Sequence, residues 1–388
     1  MKITHICLCG PVTDNWSYQD NLLPKYHKKM GLDVSIITSQ YIWNESGKII
    51  KDIRKMYINE NNVKVIRISN KFNTNINSKF KLYSELYKKI EDENPEIIFI
   101  HGVQFLDLIQ IVKYAKNKKI NIYVDNHADF SNSAKNFLSR IFLHQIIWKY
   151  NAQLIEPYVK KFYGVLPSRV DFLKNVYNIP AEKVELLVMG ADDDLVKKTK
   201  KNFDLKNKKS KYNLNNSDFV IVTGGKIDKS KAQIFDLIKA VQQCGINDVE
   251  LIIFGSIAEE LKQEFFDLIK DDKNIQYVGW LNNEETYEII ELSSLVIFPG
   301  RHSVLWEQTV GMGKPIVVKY WEGTEHIDVG GNVEFLYENS YNEIKKIIEE
   351  LYNNENKFKF MKEVAADKGM DRFSYYNISK KSIAEEIG

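Results

Sequence analysis

Residues 220–240 read VIVTGGKIDKSKAQIFDLIKA. A β-branched apolar run stops at Gly224-Gly225, a lysine-bearing loop follows, and an apolar-periodic segment then predicts a helix. Strand, loop and helix in that order are the repeating unit of a parallel α/β sheet. The unit recurs downstream. VELIIFGS, IQYVGWL and SSLVIFPG read as further strands with helical stretches between them. Residues 216–365 are therefore expected to form a doubly wound domain whose ligands bind at the carboxyl ends of its strands.

The same rhythm runs through the first half. ITHICLC, DVSIITS, VKVIRIS, EIIFIHG and INIYVDNHAD alternate with helix-like NLLPKYHKKMG, SKFKLYSELYKKIEDENP and LDLIQIVKYAKNKK. This predicts a first Rossmann-like domain over 1–190. The polar stretch KKTKKNFDLKNKKSKYNLNNSD lies between the two, and 191–215 reads as a linker. If two such domains face each other by their strand ends, the site is the cleft between them.

Totals agree with this organisation. The chain has 388 residues, 44% hydrophobic and 27% charged, enough for two or three domains. No run approaches the roughly 18 apolar residues of a membrane span, and MKITHICLCG reads as a first strand rather than a secretory signal. These features predict a cytoplasmic protein. Cys7, Cys9 and Cys244 are too few and too scattered for a disulfide framework, and no Cys/His cluster suggests structural zinc. The net charge of +2 conceals an asymmetry: residues 1–190 hold 27 Lys/Arg against 18 Asp/Glu, and 191–388 hold 27 against 34. The basic half is either a solvated lysine-rich surface or a face for anionic membrane or an anionic acceptor. No recognition motif accompanies the charge, so nucleic acid is not expected as a partner.

Chemistry is sought in the loops at strand ends. Lys226 and Lys231 lie five apart beyond Gly224-Gly225, a loop that reads either as plain surface of a lysine-rich protein or as two cations able to reach a diphosphate whose negative charge grows as a glycosidic bond breaks. Gly279-Trp280-Leu281 leaves a strand, and a helix capped by Asn282 or Asn283 follows, a turn able to offer backbone groups to a base. In FPGRHSVLWEQTVGMGKPIVV, 298–318, a strand ends at Pro299-Gly300 and a helix is expected from Ser303 to about Val310, aiming N–H groups at a phosphate. His101 and His127 each end a strand in the first half, and Asp125 and Asp129 flank His127. Gly10, Trp16, Tyr18 and Gln19 follow the first strand without forming a dinucleotide fingerprint. Asp192 and Asp194 form a D-x-D, but their place beside the linker argues against a metal-diphosphate site.

In this order the pieces resemble retaining glycosyltransferases of the GT-B fold, above all family 4. The likeness spans nearly the whole chain: HG at 101, NHADF at 126–130, SRVDFLKNVYNIPAEKVELLVMGADDD, GGKIDKSKA, LIIFGS, VGWL and GMGKPIVV. FSYYNISKK resembles the last helix, within 366–388, that crosses back to the first domain in that fold. The resemblance implies a hexosyltransferase-type enzyme using a nucleotide-diphosphate sugar, a UDP-sugar before others, with no cofactor and no obligatory metal. The acceptor would be a glycan, a lipid-linked or a protein acceptor, and the product a bacterial surface polysaccharide or glycoconjugate made at the inner face of the membrane. It further implies retention through an oxocarbenium-like transition state. Lys226 and Lys231 would bind the diphosphate, helped by backbone at Ser303, Val304 and Leu305, and His127 would stabilise the reacting sugar. Gly10 would let a loop approach the donor, with Trp16, Tyr18, Gln19 and His101 on the acceptor side. One departure stands out. Counting back from Gly313-Lys314-Pro315, the family's two glutamates fall on Gly300 and Gln308. Glu307 is one residue and about 100° away on a helix, so either Glu307 or Gln308 takes the second role. His302, Arg301 or Ser303 would replace the first. A sugar-nucleotide epimerase or a non-catalytic sugar-nucleotide- or glycan-binding protein of the same fold are the rival readings.

Overall fold

The computed structural model describes residues 1–44, 48–71, 80–130 and 139–387. The chain divides into two compact units, Met1–Val188 with Ile378–Gly388, and Met189–Asn377.

In the first unit eight strands form one sheet: β1 (Lys2–Cys7), β2 (Asp33–Ser39), β5 (Met56–Ile58), β6 (Lys64–Ile68), β7 (Ile97–His101), β8 (Asn121–Asn126), β9 (Val159–Gly164) and β10 (Val184–Leu186). Their order is β10-β9-β8-β7-β1-β2-β6-β5. All pairs are parallel except β5–β6. A separate small hairpin pairs β3 (Tyr41–Trp43) with β4 (Ile49–Lys51). Helices cover both faces of a parallel sheet, which is why IIFIH and NIYVDN are buried throughout or nearly so. The chain winds one way from β1 to β2 and the other way from β7 onward. The switch point therefore lies at the carboxyl ends of β1 and β7.

The second unit repeats the plan with six parallel strands: β11 (Phe219–Ile227), β12 (Val249–Ile257), β13 (Ile275–Tyr277), β14 (Leu295–Phe298), β15 (Ile316–Lys319) and β16 (Val333–Leu336), ordered β13-β12-β11-β14-β15-β16. Its switch point lies between β11 and β14. The helix Ile234–Gln243 buries Ile234, Leu237, Ile238 and Val241, and burial of each such side chain is worth about 1.5–3 kcal/mol.

Several boundaries differ from the sequence reading. β11 does not stop at Gly224-Gly225 but runs to Ile227, because the glycines are paired in register with Phe254 and Gly255 of β12. A Cβ at Gly255, whose φ is +112°, would run into the Gly225 carbonyl. The double glycine is thus first a close strand crossing and only then a loop. The helix read from Ser78 begins outside the described residues, and the helix found among the described ones is Leu86–Glu93. The stretch 191–215 is not an extended linker. It folds as helices Asp193–Asn202 and Leu205–Lys211, packed on helix Asn283–Leu292 and paired through Lys198–Glu284 and Lys208–Glu288. Asp192 caps the first of them by accepting from the Asp194 N–H, and Asp193 accepts from Ser374 and from the Tyr376 N–H. Two members of that acidic run are accordingly engaged in structure. At the other end, helix Tyr375–Ser382 contains the boundary between the units. Beyond it, Glu386 accepts from Tyr123 (2.6 Å), Asn121 (2.7 Å) and Lys160 (2.8 Å), tying the C-terminus to the first sheet. Among the described residues no helix is long and apolar enough to cross a membrane.

Candidate functional site

In the second unit the site residues collect at the switch point. After β11, Asp228 accepts from the Ser230 N–H at 3.0 Å and turns the chain through a single 3-10 turn, Lys229–Lys231. Lys231 is thereby folded back over the end of β14. A Cβ added at Gly300 would lie 3.1 Å from the Lys231 Cα and 3.2 Å from its Cβ and Cγ. One added at Gly225 would lie 3.7 Å from its Nζ and 3.3 Å from Leu305 Cδ1. The ammonium thus sits between the ends of β11 and β14, beside the first residue of helix Leu305–Gly311. Burial pulls its pKa below the usual lysine value, opposed by Asp228 and reinforced by Arg301. Lys226, by contrast, is exposed. The two lysines expected to act alike occupy different environments.

This placement supplies a physical reason for the missing glutamate at position 300. The Lys231 stem lies against Gly300, so a side chain there would fit only if the lysine gave way by a few tenths of an ångström. The helix begins at Leu305 rather than Ser303. Ser303 and Val304 form the turn before it, with the Trp306 N–H bonded to the Ser303 carbonyl at 3.0 Å.

Glu307 is fully buried, and Gln308 nearly so. One Glu307 oxygen, Oε1, lies 2.8 Å from His302 Nε2 and 2.9 Å from His326 Nε2. Burial alone would raise this carboxyl, but His302 and then His326 hold it well below the usual range. Its other oxygen, Oε2, has no hydrogen-bond partner, and neither has the buried Trp306 Nε1. The His302 ring packs edge-on to Trp306 at 5.0 Å. His326 was not singled out from the sequence, since it lies 19 residues beyond Glu307 with a strand between them. These three residues bring one donor atom each within 4.8 Å of one another, a His/His/Glu set of the kind zinc uses. Both nitrogens, however, stand at hydrogen-bond distance from the same oxygen, the arrangement of two N–H donors on one carboxylate.

The third loop of this unit is tied to the same glycines. The Gly279 carbonyl accepts from the Gly255 N–H at 2.7 Å. Trp280 then projects into solvent with 64% of its surface exposed, and Leu281 leads to Asn282. Asn282 and Glu285 close a capping box on helix Asn283–Leu292, as its sequence predicts.

In the first unit His101 and His127 converge on one carboxylate. Asp125 Oδ2 lies 2.8 Å from His101 Nδ1 and 3.3 Å from His127 Nε2, and it accepts from Gln19 Nε2 at 2.9 Å. Asp125 is fully buried. Burial opposes its ionisation, yet His101 and then His127 keep it far below the usual carboxylate range. The carboxylates flanking His127 therefore differ: Asp125 is central to the cluster, and Asp129 pairs with Arg169 at 3.3 Å. Tyr18 is half exposed before helix Gln19–Lys29, its ring 5.3 Å from that of Trp16. At Gly10 an added Cβ would meet nothing within 4 Å, so the local fold does not demand glycine there. His5 and His27 extend the cluster inward from His101 and were missed in the sequence. The signal was a histidine inside the apolar run ITHICLC, where a buried ring must find partners.

No protein-family model matches the chain, and no curated protein matches it by sequence. Solved structures do match it over their full length. A glycosyltransferase from Rickettsia africae aligns with 15% identity and a TM-score of 0.73, over 99% of this chain and 97% of that one. HepE from Anabaena, in complex with UDP, gives 14% and 0.70 over 100% and 99%. UDP-GlcNAc 2-epimerase from Neisseria meningitidis, bound to UDP-GlcNAc, gives 12% and 0.62 over the whole of both chains. At these identities the likeness is one of fold: the chain has the GT-B architecture, with two Rossmann-like units.

Proposed function

We propose that this chain is a glycosyltransferase that takes a sugar from a nucleotide-diphosphate donor, a UDP-sugar before others, and passes it to a glycan, lipid-linked or protein acceptor. The observation that carries the reading is the half-buried Lys231, seated at the switch point between Gly225 and Gly300. A cation fixed there, partly removed from water, stabilises the charge that develops on a departing diphosphate more strongly than a solvated lysine would. Backbone at Ser303, Val304 and Leu305 adds to it, and Trp280 offers an exposed ring for a base. His302, oriented by Glu307, stands in for the carboxylate absent at Gly300 and addresses the donor sugar. His127, with Asp125 behind it, is the first unit's contribution to catalysis. Retention at the anomeric carbon, hexose as the transferred sugar and independence of a metal complete the proposal. So does a role in surface polysaccharide or glycoconjugate synthesis, with the basic first half resting against an anionic membrane.

The test is a panel of nucleotides and nucleotide sugars scored by thermal shift, followed by hydrolysis and transfer assays on each hit. Lys231→Ala should lower donor kcat/KM by about 10-fold or more, roughly 1.4 kcal/mol. Activity is expected to survive a chelator. An unchanged kcat/KM in the variant removes Lys231 from the site, and activity lost to chelator and restored by Mg²⁺ or Mn²⁺ removes metal independence.

One observation favours a second reading. Each unit clusters histidines around a buried carboxylate, and a 2-epimerase shares the fold. Epimerisation at carbon breaks and remakes a C–H bond. Deuterium entering the sugar from solvent without an acceptor would identify that activity and displace the transferase reading.

A further inference from the structure

Three histidines of the first unit form a continuous buried file. His27 Nε2 lies 3.1 Å from the Ser379 carbonyl and 3.0 Å from Ser382 Oγ. His27 Nδ1 is 3.0 Å from His5 Nε2, and His5 Nδ1 is 3.0 Å from His101 Nε2. His101 Nδ1 ends the file 2.8 Å from Asp125 Oδ2 and 3.1 Å from Asp20 Oδ1. All three rings are buried, as are Ser379 and Ser382.

The chemistry at the two ends fixes the number of protons. Ser379 belongs to the last turn of helix Tyr375–Ser382, whose carbonyls have no partner further along the helix, and a carbonyl only accepts. The Ser382 hydroxyl donates to that same carbonyl at 2.8 Å, so its oxygen is also left to accept. His27 Nε2 therefore carries a proton. At the other end His101 Nδ1 makes no well-aligned hydrogen bond, but a nitrogen lone pair does not face two carboxylate oxygens at 3.1 and 2.8 Å, so it carries a proton too. Each of the two ring-to-ring bonds holds one proton. That makes four protons on three imidazoles, where three neutral rings hold three.

We infer that His27, His5 and His101 share one excess proton, that it rests on His101 against Asp125 and Asp20, and that this buried cation is a positioning device fixing Asp125 as the anion behind His127. Its bearing on catalysis rests on the role proposed above for His127; the proton count does not. The surroundings agree on where the charge sits. Burial pushes His5 well below the usual histidine value, with His27 and His101 adding to the effect, and burial brings His27 down to about 4. Burial also opposes charge on His101, but Cys7, Asp125 and Asp20 face it and outweigh burial. The Cys7 thiol is itself pushed up to about 12, so near neutral pH the two carboxylates are what hold the proton. An imidazolium protonated on both nitrogens has no lone pair for a metal, which leaves His101 a charge rather than a ligand.

The experiment needs neither donor nor activity, so a negative donor panel leaves it untouched. The full chain is labelled with ring-¹⁵N histidine, and couplings across N–H···N hydrogen bonds are recorded from pH 6.5 to 8.5. Expected are three rings joined by two such couplings, with four ring protons throughout. Three protons, a fourth lost within that range, or absent couplings would each overturn the inference. Two variants separate charge from packing. In His27→Gln the amide can still donate to Ser379 and accept from His5, so the remaining two rings should keep three protons. In His27→Leu the acceptor is gone, His5 can reverse its tautomer, and two protons are expected on the two rings. Equal counts in the two variants would also overturn it. Should His27→Leu not fold, the wild-type count still decides.

Discussion

Replacing Glu307 with glutamine tests the buried cluster of the second unit with one atom changed. The glutamine can still accept from His302 and His326, but as a neutral acceptor. A hydrogen bond to a charged group contributes about 1.5–3 kcal/mol and a neutral one about 0.5–1.5, so each of the two bonds loses about 1 kcal/mol. The new amide N–H₂ falls where Oε2 now has no partner, and an orphaned buried donor costs about 1–3 kcal/mol. Against this stands relief from burying a charge. The depressed Glu307 carboxyl decides which effect wins: the folded site prefers the anion to the neutral acid more strongly than water does. Glu307→Gln should therefore destabilise the second unit by about 2–4 kcal/mol in urea unfolding at pH 7.5, followed by tryptophan fluorescence, since Trp306 is buried beside the cluster. The pH dependence has a definite sign. A carboxyl whose folded pKa is depressed contributes stability above its ordinary value and loses it as pH falls through the folded one. The gap between wild type and variant should hold down to about pH 5 and narrow only below about pH 4. A difference under about 0.5 kcal/mol at pH 7.5, or one that has already closed at pH 5, would refute this account of the site.

Two further outcomes follow from burial. Gly255→Ala forces a methyl into the Gly225 carbonyl at a φ of +112° and should cost the second unit more than about 2 kcal/mol; a thermal or urea midpoint near wild type would mean that β11 and β12 do not cross so closely. In the first unit, His27 is held neutral with its pKa near 4. The unfolded chain takes up that proton first, so stability should fall between about pH 7 and pH 4 by about 3 kcal/mol. His27→Gln, compared by urea unfolding across that range, should flatten the decline, and an identical slope would show the loss to come from other groups.

The fold was legible because its information is local. The strands around both switch points announce themselves as β-branched runs ended by loops, and the helices between them by their apolar period, so the doubly wound pattern needs no long-range contact to be read. Positions at strand ends follow from topology, which is how His101, His127, Lys231 and the 298–318 stretch were found. What stayed hidden depends on partners distant in sequence. Gly300 reads as a missing glutamate until the Lys231 stem is seen against it. The choice between Glu307 and Gln308 turns on His326, which reaches the helix only after β15 has passed through the sheet. His5 and His27 are invisible as a pair, because only the placement of β1 beside β7 brings the His5 ring to His101. Helix Asp193–Asn202 was hidden for another reason: its lysine-rich stretch resembles a solvated linker, and it is helical because the acidic cap and the packing on Asn283–Leu292 make it so.

Both units face one electrostatic difficulty and resolve it alike. A carboxylate buried without partners is costly in a medium that screens poorly. Yet each unit buries one at the switch-point end of its sheet, Asp125 in the first and Glu307 in the second. Each carboxylate has two histidines on a single oxygen. The histidine rings offset the negative charge, and in the second unit the anion fixes which nitrogen of His302 donates and so the orientation of that ring. The carboxylate thus acts on the rings, one such cluster in each unit. In the second unit the buried carboxylate lies seven residues beyond Gly300, where the Lys231 stem leaves little room for a side chain.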